Sequence, residues 1–285
     1  MGVISKKLAA RLQKAKKQVT GLRRLAVTEF AEIPTDLKRI RSLIHSGHDP
    51  LHAAYVAAQN YTSGFAEAVT QFRELDPYCD IAATAEDEYI PDGPPISPLT
   101  RSYFTTWAFF DLRFGSDRET LGTCLLDLAD LLELHPFVVQ TIRQFQNSRM
   151  GIYEHIGIKD DWCRLRELVT DEEFQCHIPS GYRGKTGELW YVRLCPPLLD
   201  PVDYHVAFTT PYLLTGFAEA DWTAYLKKNL LGASNTKNAL HEFLKFGKEP
   251  NAWNEFIFEA YHHHQDDAIF LAGLPDVKSS RPNAG

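Results

Sequence analysis

At 285 residues, with 44% hydrophobic and 24% charged side chains, the chain can bury a sizeable core and has the composition of an ordinary globular protein. No apolar run approaches the ~20 residues that cross a bilayer, and the basic start lacks the continuous apolar stretch of a secretory leader. The formal charge of −7 is unevenly spread: residues 1–28 carry eight Lys or Arg and no carboxylate, whereas the remainder carries 22 basic against 37 acidic side chains. Five cysteines, odd in number and without a C-x-x-C, argue against a disulfide framework or a zinc site, and are expected as free thiols in a reducing cytoplasm.

Residues 3–33 read as one basic amphipathic helix, an arm with Ile4, Leu8, Leu12, Val19 and Leu22 on a single stripe and most of its Lys and Arg off it. Pro34 ends it, and Thr35-Asp36 offer an N-cap for a short helix to about Ile44. Asp49-Pro50 is a cap-then-Pro start for a long helix over 51–75. Residues 76–99, with their acidic run and Pro91, Pro94, Pro95 and Pro98, are expected as a Pro-rich acidic loop. An aromatic helix over 103–114 follows. Ser116-Asp117-Arg118-Glu119 fits a capping box opening a helix through Leu132, and a further helix spans 136–147. From Met150 the period falls to two. Segments 152–158, 162–168, 174–178, 189–194 and 204–209 read as five short strands. Helices resume over 218–231, 235–246 and 251–264, and 278–285 is expected as a loose tail. The expected fold class is α+β. A helical domain (34–149) would follow the arm (1–33), then a small antiparallel β-barrel or curled sheet (150–215) and a helical C-terminal segment (216–285).

Ser148-Arg149, Ile152-Tyr153-Glu154, the run Leu165-Arg166-Glu167-Leu168-Val169-Thr170, Gly187-Glu188-Leu189 and Arg193-Leu194 form a recurring order of short motifs. On them, residues 107–194 resemble the core of bacterial proteins of unknown function to which a cysteine-rich SEC-C zinc motif is often appended. The resemblance implies a helical segment leading into a strand module. The cysteine cluster of that motif is absent here, so it implies no zinc site and no activity.

Few motifs survive a test of spacing. Gly184-Lys185-Thr186 is the back half of a phosphate-binding loop, but position 179 is Pro rather than Gly and a strand follows instead of a helix. That leaves a glycine-bearing turn in which Arg183 and Lys185 are the anion-binding candidates. His262, His263, His264 and Asp266 form a metal-like cluster, yet adjacent helical residues point about 100° apart and further ligands such as His241, Asp267 or Glu86 would have to come from afar. Cys176 and His177 are strand neighbours on opposite faces, which excludes a dyad between them. Arg164, Arg166, Arg183 and Arg193 with Trp190 and Tyr191 are a mixture that nucleic-acid-binding barrels use, set in an acidic body that opposes a polyanion. No catalytic residue or cofactor motif is assigned. The leading expectation is a non-enzymatic interaction or regulatory protein that docks an anionic partner through Lys6, Lys7, Arg11, Lys14, Lys17, Arg23 and Arg24. An acidic protein surface is the first partner class, nucleic acid bound by the arm and strand module the second, and a membrane surface the third, and docking of the arm on the protein's own acidic body is the competing reading of the same charge. A metal-dependent enzyme built on the 262–267 cluster is the remaining alternative.

Overall fold

The computed structural model describes residues 1–18, 37–90, 98–198 and 200–277. It shows an α+β protein that divides into two compact units, one of residues 1–84 with 105–147, the other of residues 85–104 with 148–285. The continuation of the first helix over 19–33, the cap at 35–36, Arg23, Arg24 and the tail 278–285 lie outside the described residues.

The first unit is helical: α1 (Val3–Gln18), α2 (Lys38–His45), α3 (Pro50–Val69), the first part of α4 (Asp76–Tyr89), the last part of α5 (Pro98–Phe110), α6 (Leu121–Asp127) and α7 (Pro136–Asn147). As the sequence implies, Asp49 caps α3 by accepting from the His52 amide at 2.9 Å. Tyr55 and Phe110 pack edge-on and face-on, respectively, against Phe145 of α7, and Phe65 and Leu75 are also fully buried in this unit. Two expectations fail here. Residues 76–89 form a helix rather than a loop, because Tyr78, Ala85 and Tyr89 recur on one stripe and all bury. The capping box is also not Ser116–Glu119. Glu119 pairs its backbone with Phe114, Arg118 takes a left-handed φ of 52°, and the helix opens at Thr120, whose hydroxyl accepts from the Thr123 amide at 3.1 Å.

The second unit holds the sheet. Strands β1 (Met150–Lys159), β2 (Trp162–Glu167), β3 (Glu173–His177), β4 (Leu189–Cys195) and β5 (His205–Ala207) are the five that alternation predicts. In space they run β4-β1-β2-β3, the order of a Greek key, and β5 closes the ring between β3 and β4. β1 pairs with β4 over 150–154 and with β2 over 153–159, with a bulge between His155 and Gly157 that bends it. Tyr153, Cys163, Leu165, Cys176, Trp190 and Val192 fill the barrel.

Three strands were not legible in the sequence. β6 (Tyr212–Thr215) pairs with β4, β8 (Ile269–Ala272) runs parallel to β6, and β7 (Tyr261–His264) forms the outer edge. They join the 150–215 module to the C-terminal segment, so these are one unit and not two. Helices α8 (Glu219–Asn229), α9 (Thr236–Phe246) and α10 (Ala252–Ala260) pack back on this sheet, with Trp253 stacked on Tyr191 at 5.2 Å and Trp222 fully buried against Phe256. The helix expected to reach His264 stops at Ala260, where the chain turns to pair with β8. Among the described residues no helix is long and apolar enough to cross a membrane.

Candidate functional site

The basic N-terminal helix is the sequence feature with the clearest functional claim, and its geometry follows from two stripes. Ile4, Leu8 and Leu12 recur at four-residue steps and are buried in the first unit, together with Ser5. Each such side chain contributes about 1.5–3 kcal/mol when removed from water. Lys7, Arg11 and Lys14 stand at i, i+4 and i+7 on another stripe, and with Lys6 they are exposed. Arg11 pairs with Glu74 at 2.7 Å and lies over the Phe72 ring. Lys17 belongs to α1, but its side chain lies outside the described residues.

The helix expected at the start of the arm (1–33) forms over its described part and docks on the first unit, a point that the sequence leaves open. The reason is chemical as well as apolar. A helix start leaves four amides without intrahelical acceptors and a partial positive charge. Glu119, itself buried, accepts from the Ile4 amide at 2.8 Å, the Ser5 amide at 2.9 Å and the Ser5 hydroxyl at 2.6 Å. Asp117 accepts from the Val3 amide and Asp127 from the Gly2 amide. Three carboxylates of the body thus hold the start of α1, and its cationic stripe is turned outward. The sequence allows a docking of this helix on the acidic body but does not say which acids hold it, because they lie more than a hundred residues from their partners.

The remaining candidates separate. In the 180–187 loop, Gly181, Gly184 and Gly187 take left-handed φ values. At Gly184 a β-carbon would stand 2.4 Å from the Trp190 ring, so this glycine answers a close approach and not a phosphate. The Lys185 amide donates to the Glu188 carboxylate at 3.0 Å, and Arg183 pairs with Asp161 at 3.2 Å. An anion there would meet a carboxylate already in place.

His262, His263 and His264 lie on the exposed edge strand β7 rather than on a helix end. The Nδ1 atoms of His262 and His263 are 2.5 Å apart, too close to be two ligands of one ion, and His264 Nδ1 lies 2.6 Å from the Tyr261 hydroxyl. Among the described residues no three His, Cys, Asp or Glu side chains gather as metal ligands, the 262–267 group with His241 and Glu86 included.

Cys176 faces the barrel interior opposite Cys163, and burial pushes its thiol well above the ordinary value. His205, its neighbour across the parallel β3/β5 pair, is pushed down to about 4 by burial. A proton-poor imidazole beside a thiol held protonated is core packing, not an activated nucleophile. The strand arginines are likewise committed. Arg164 pairs with Glu173, and Arg166 is shared by Glu154, Asp171 and Glu219. Arg193 is fully buried and donates to the Ser148 carbonyl and hydroxyl.

One concavity in the second unit has no counterpart in the sequence reading. A cleft of about 170 Å³ opens between the 187–189 turn, β6, the start of α8 and β8. Glu188 and Glu219 line it beside Leu189, Leu213, Phe217 and Phe270.

No protein-family model, no curated protein and no solved structure matches the chain.

Proposed function

We propose that the protein is a non-enzymatic docking or regulatory protein whose α1 binds the acidic surface of another protein. The observation that carries this reading is the division of α1 into a docked apolar stripe and an outward cationic one. Lys6, Lys7 and Lys14 are exposed and make no ion pair with the described residues, while Arg11 is half committed to Glu74. A helix that needed positive charge only for its own packing would spend it on the body's excess carboxylates. Here the body supplies acids to the helix start and leaves the lysines to solvent.

Nucleic acid is a weaker candidate because the strand-module arginines are paired or buried. A membrane surface is weaker because the docked face takes up the apolar side chains that would enter lipid. The test is binding of a fluorescent polyglutamate peptide, as a stand-in for an acidic surface, to the full chain and to Lys6→Glu/Lys7→Glu/Lys14→Glu. Those positions are exposed, so the fold is unaffected. Saturable, salt-sensitive binding that the triple variant loses by about tenfold or more supports the reading. Equal binding by both proteins, or a preference for duplex DNA or anionic vesicles, contradicts it.

A further inference from the structure

Buried polar side chains of the first unit are satisfied within the chain. Gln146 donates to the Phe110 carbonyl and accepts from the Thr120 hydroxyl, each at 2.9 Å. The helical hydroxyls of Thr62 and Thr141 return to the carbonyl four residues back, at 2.9 and 2.8 Å. Asn254 and Thr100 of the second unit behave differently. Asn254 is 3% exposed and Thr100 6%, yet among the described residues the Asn254 oxygen and nitrogen and the Thr100 hydroxyl have no hydrogen-bond partner. The buried Tyr212 phenol lies near Thr100 and is itself without a partner at hydrogen-bond geometry. An amide held in apolar surroundings with nothing to bond is strongly unfavourable, so these atoms call for a partner from outside the chain.

Asn254 and Thr100 line one cavity. On α10, Asn254, Ile257 and Phe258 stand at i, i+3 and i+4, and on α5, Thr100, Tyr103 and Phe104 do the same, so two helix faces meet there beside Tyr89 and Ile90. All of these residues belong to the second unit. Size and charge select the occupant. The cavity is about 10 Å³, the size at which one water is admitted and nothing larger. No Asp, Glu, His, Lys or Arg is among its lining residues, so an ion there would be uncompensated. Tyr89 donates to Glu255 at 3.0 Å, and burial together with that carboxylate holds its phenol neutral. The atoms left over are a donor nitrogen, an acceptor oxygen and a hydroxyl able to act as either, a set that suits a molecule able to donate and accept. We propose that the cavity holds one tightly bound water that bridges the Asn254 carboxamide and the Thr100 hydroxyl, tying α10 to the start of α5. This site is independent of α1.

Water–protein cross-relaxation in the NMR spectrum of the full-length protein tests it, because a held water and a passing one give Overhauser effects of opposite sign. The parent is expected to show the held-water signal at the Asn254 side-chain amide and at the methyl groups of Ile90 and Ile257, which line the same cavity. Asn254→Leu removes the carboxamide and fills the space with apolar volume, so the signal at both isoleucines is expected to vanish. Thr100→Val keeps the shape and removes one partner. It is expected to hold the water about threefold to tenfold less tightly, read as a weaker signal at the same methyl groups. This milder variant carries the test should Asn254→Leu fail to fold. Absence of a held-water signal at these groups in the parent overturns the proposal. So does an unchanged signal in either folded variant, which would place the water elsewhere.

Discussion

Glu119 offers the sharpest structural prediction, because one side chain holds the start of α1 to a segment more than a hundred residues away. Replacing it by alanine deletes an acceptor for two buried amides and one buried hydroxyl at 2.6–2.9 Å. A hydrogen bond to a charged group contributes a net ~1.5–3 kcal/mol, and a carboxylate at a partly buried helix start up to ~2 kcal/mol, overlapping with the same bonds. Three bonds at the low end give about 4.5 kcal/mol, and entry of water into the vacated space lowers this to about 3 kcal/mol. Glu119→Gln keeps one acceptor oxygen but presents an amide N–H₂ to the other donor, so about half that loss is expected. Asp117→Ala is the contrast. Its bond to the Val3 amide is solvent-exposed, so its removal is expected to change stability by less than about 0.5 kcal/mol. Urea unfolding measures all three, and native-state hydrogen exchange at the Ile4 and Ser5 amides reports the local consequence. Glu119→Ala within about 0.5 kcal/mol of the parent, with those amides still protected, would refute the capture of α1 by the body.

Burial sets three further outcomes. His205 is held neutral, with a folded pKa of about 4 against 6.5 for the free group. The unfolded chain therefore binds more protons between those values, and stability is full above pH 6.5 and falls as pH drops toward 4. The whole effect is up to about 3 kcal/mol, nearer 2 given partial exposure, and His205→Gln should flatten that limb of the urea-midpoint profile; an unchanged slope would contradict it. Burial pushes the Cys124, Cys163 and Cys195 thiols up to about 12 and Cys176 well above its ordinary value, whereas Cys79 is only partly buried. A disulfide reagent should thus label one thiol quickly in the native protein and five in denaturant, and two or more fast native thiols would count against the described core. Gly184→Ala should cost about 2 kcal/mol or more, from a left-handed φ and a β-carbon 2.4 Å from Trp190, and a neutral substitution would mean the loop is not packed as described.

Much of the fold was legible where local pattern and tertiary need agree. In β2, Cys163, Leu165 and Glu167 point inward and Trp162, Arg164 and Arg166 outward, and that alternation is written in the sequence. α7 begins at its proline and ends where the β period starts. The misreadings share a cause. Prolines beyond residue 90 made 76–99 resemble a loop, although Asp76-Pro77 repeats the Asp49-Pro50 start and Tyr78, Ala85 and Tyr89 mark a helical stripe. Trp253, Ile257 and Tyr261 keep a helical step, so only the distant pairing with Ile269–Ala272 reveals that Tyr261 begins a strand. The four-residue runs of β6 and β8 are too short to separate from turns without their partners. As for sites, the charge asymmetry of α1 was visible at once. Its docking on the acidic body was an open alternative, but Glu119 as the residue that holds it was not legible, because it lies more than a hundred residues away.

The central claim is that the outward cationic stripe of α1 is a docking surface. Its most direct measurement is the affinity of polyglutamate for the full chain against Lys6→Glu/Lys7→Glu/Lys14→Glu, at two salt concentrations, with circular dichroism confirming an unchanged fold. The account predicts salt-sensitive binding by the parent and a loss of about tenfold or more in the variant. Equal affinities in two equally folded proteins would contradict it.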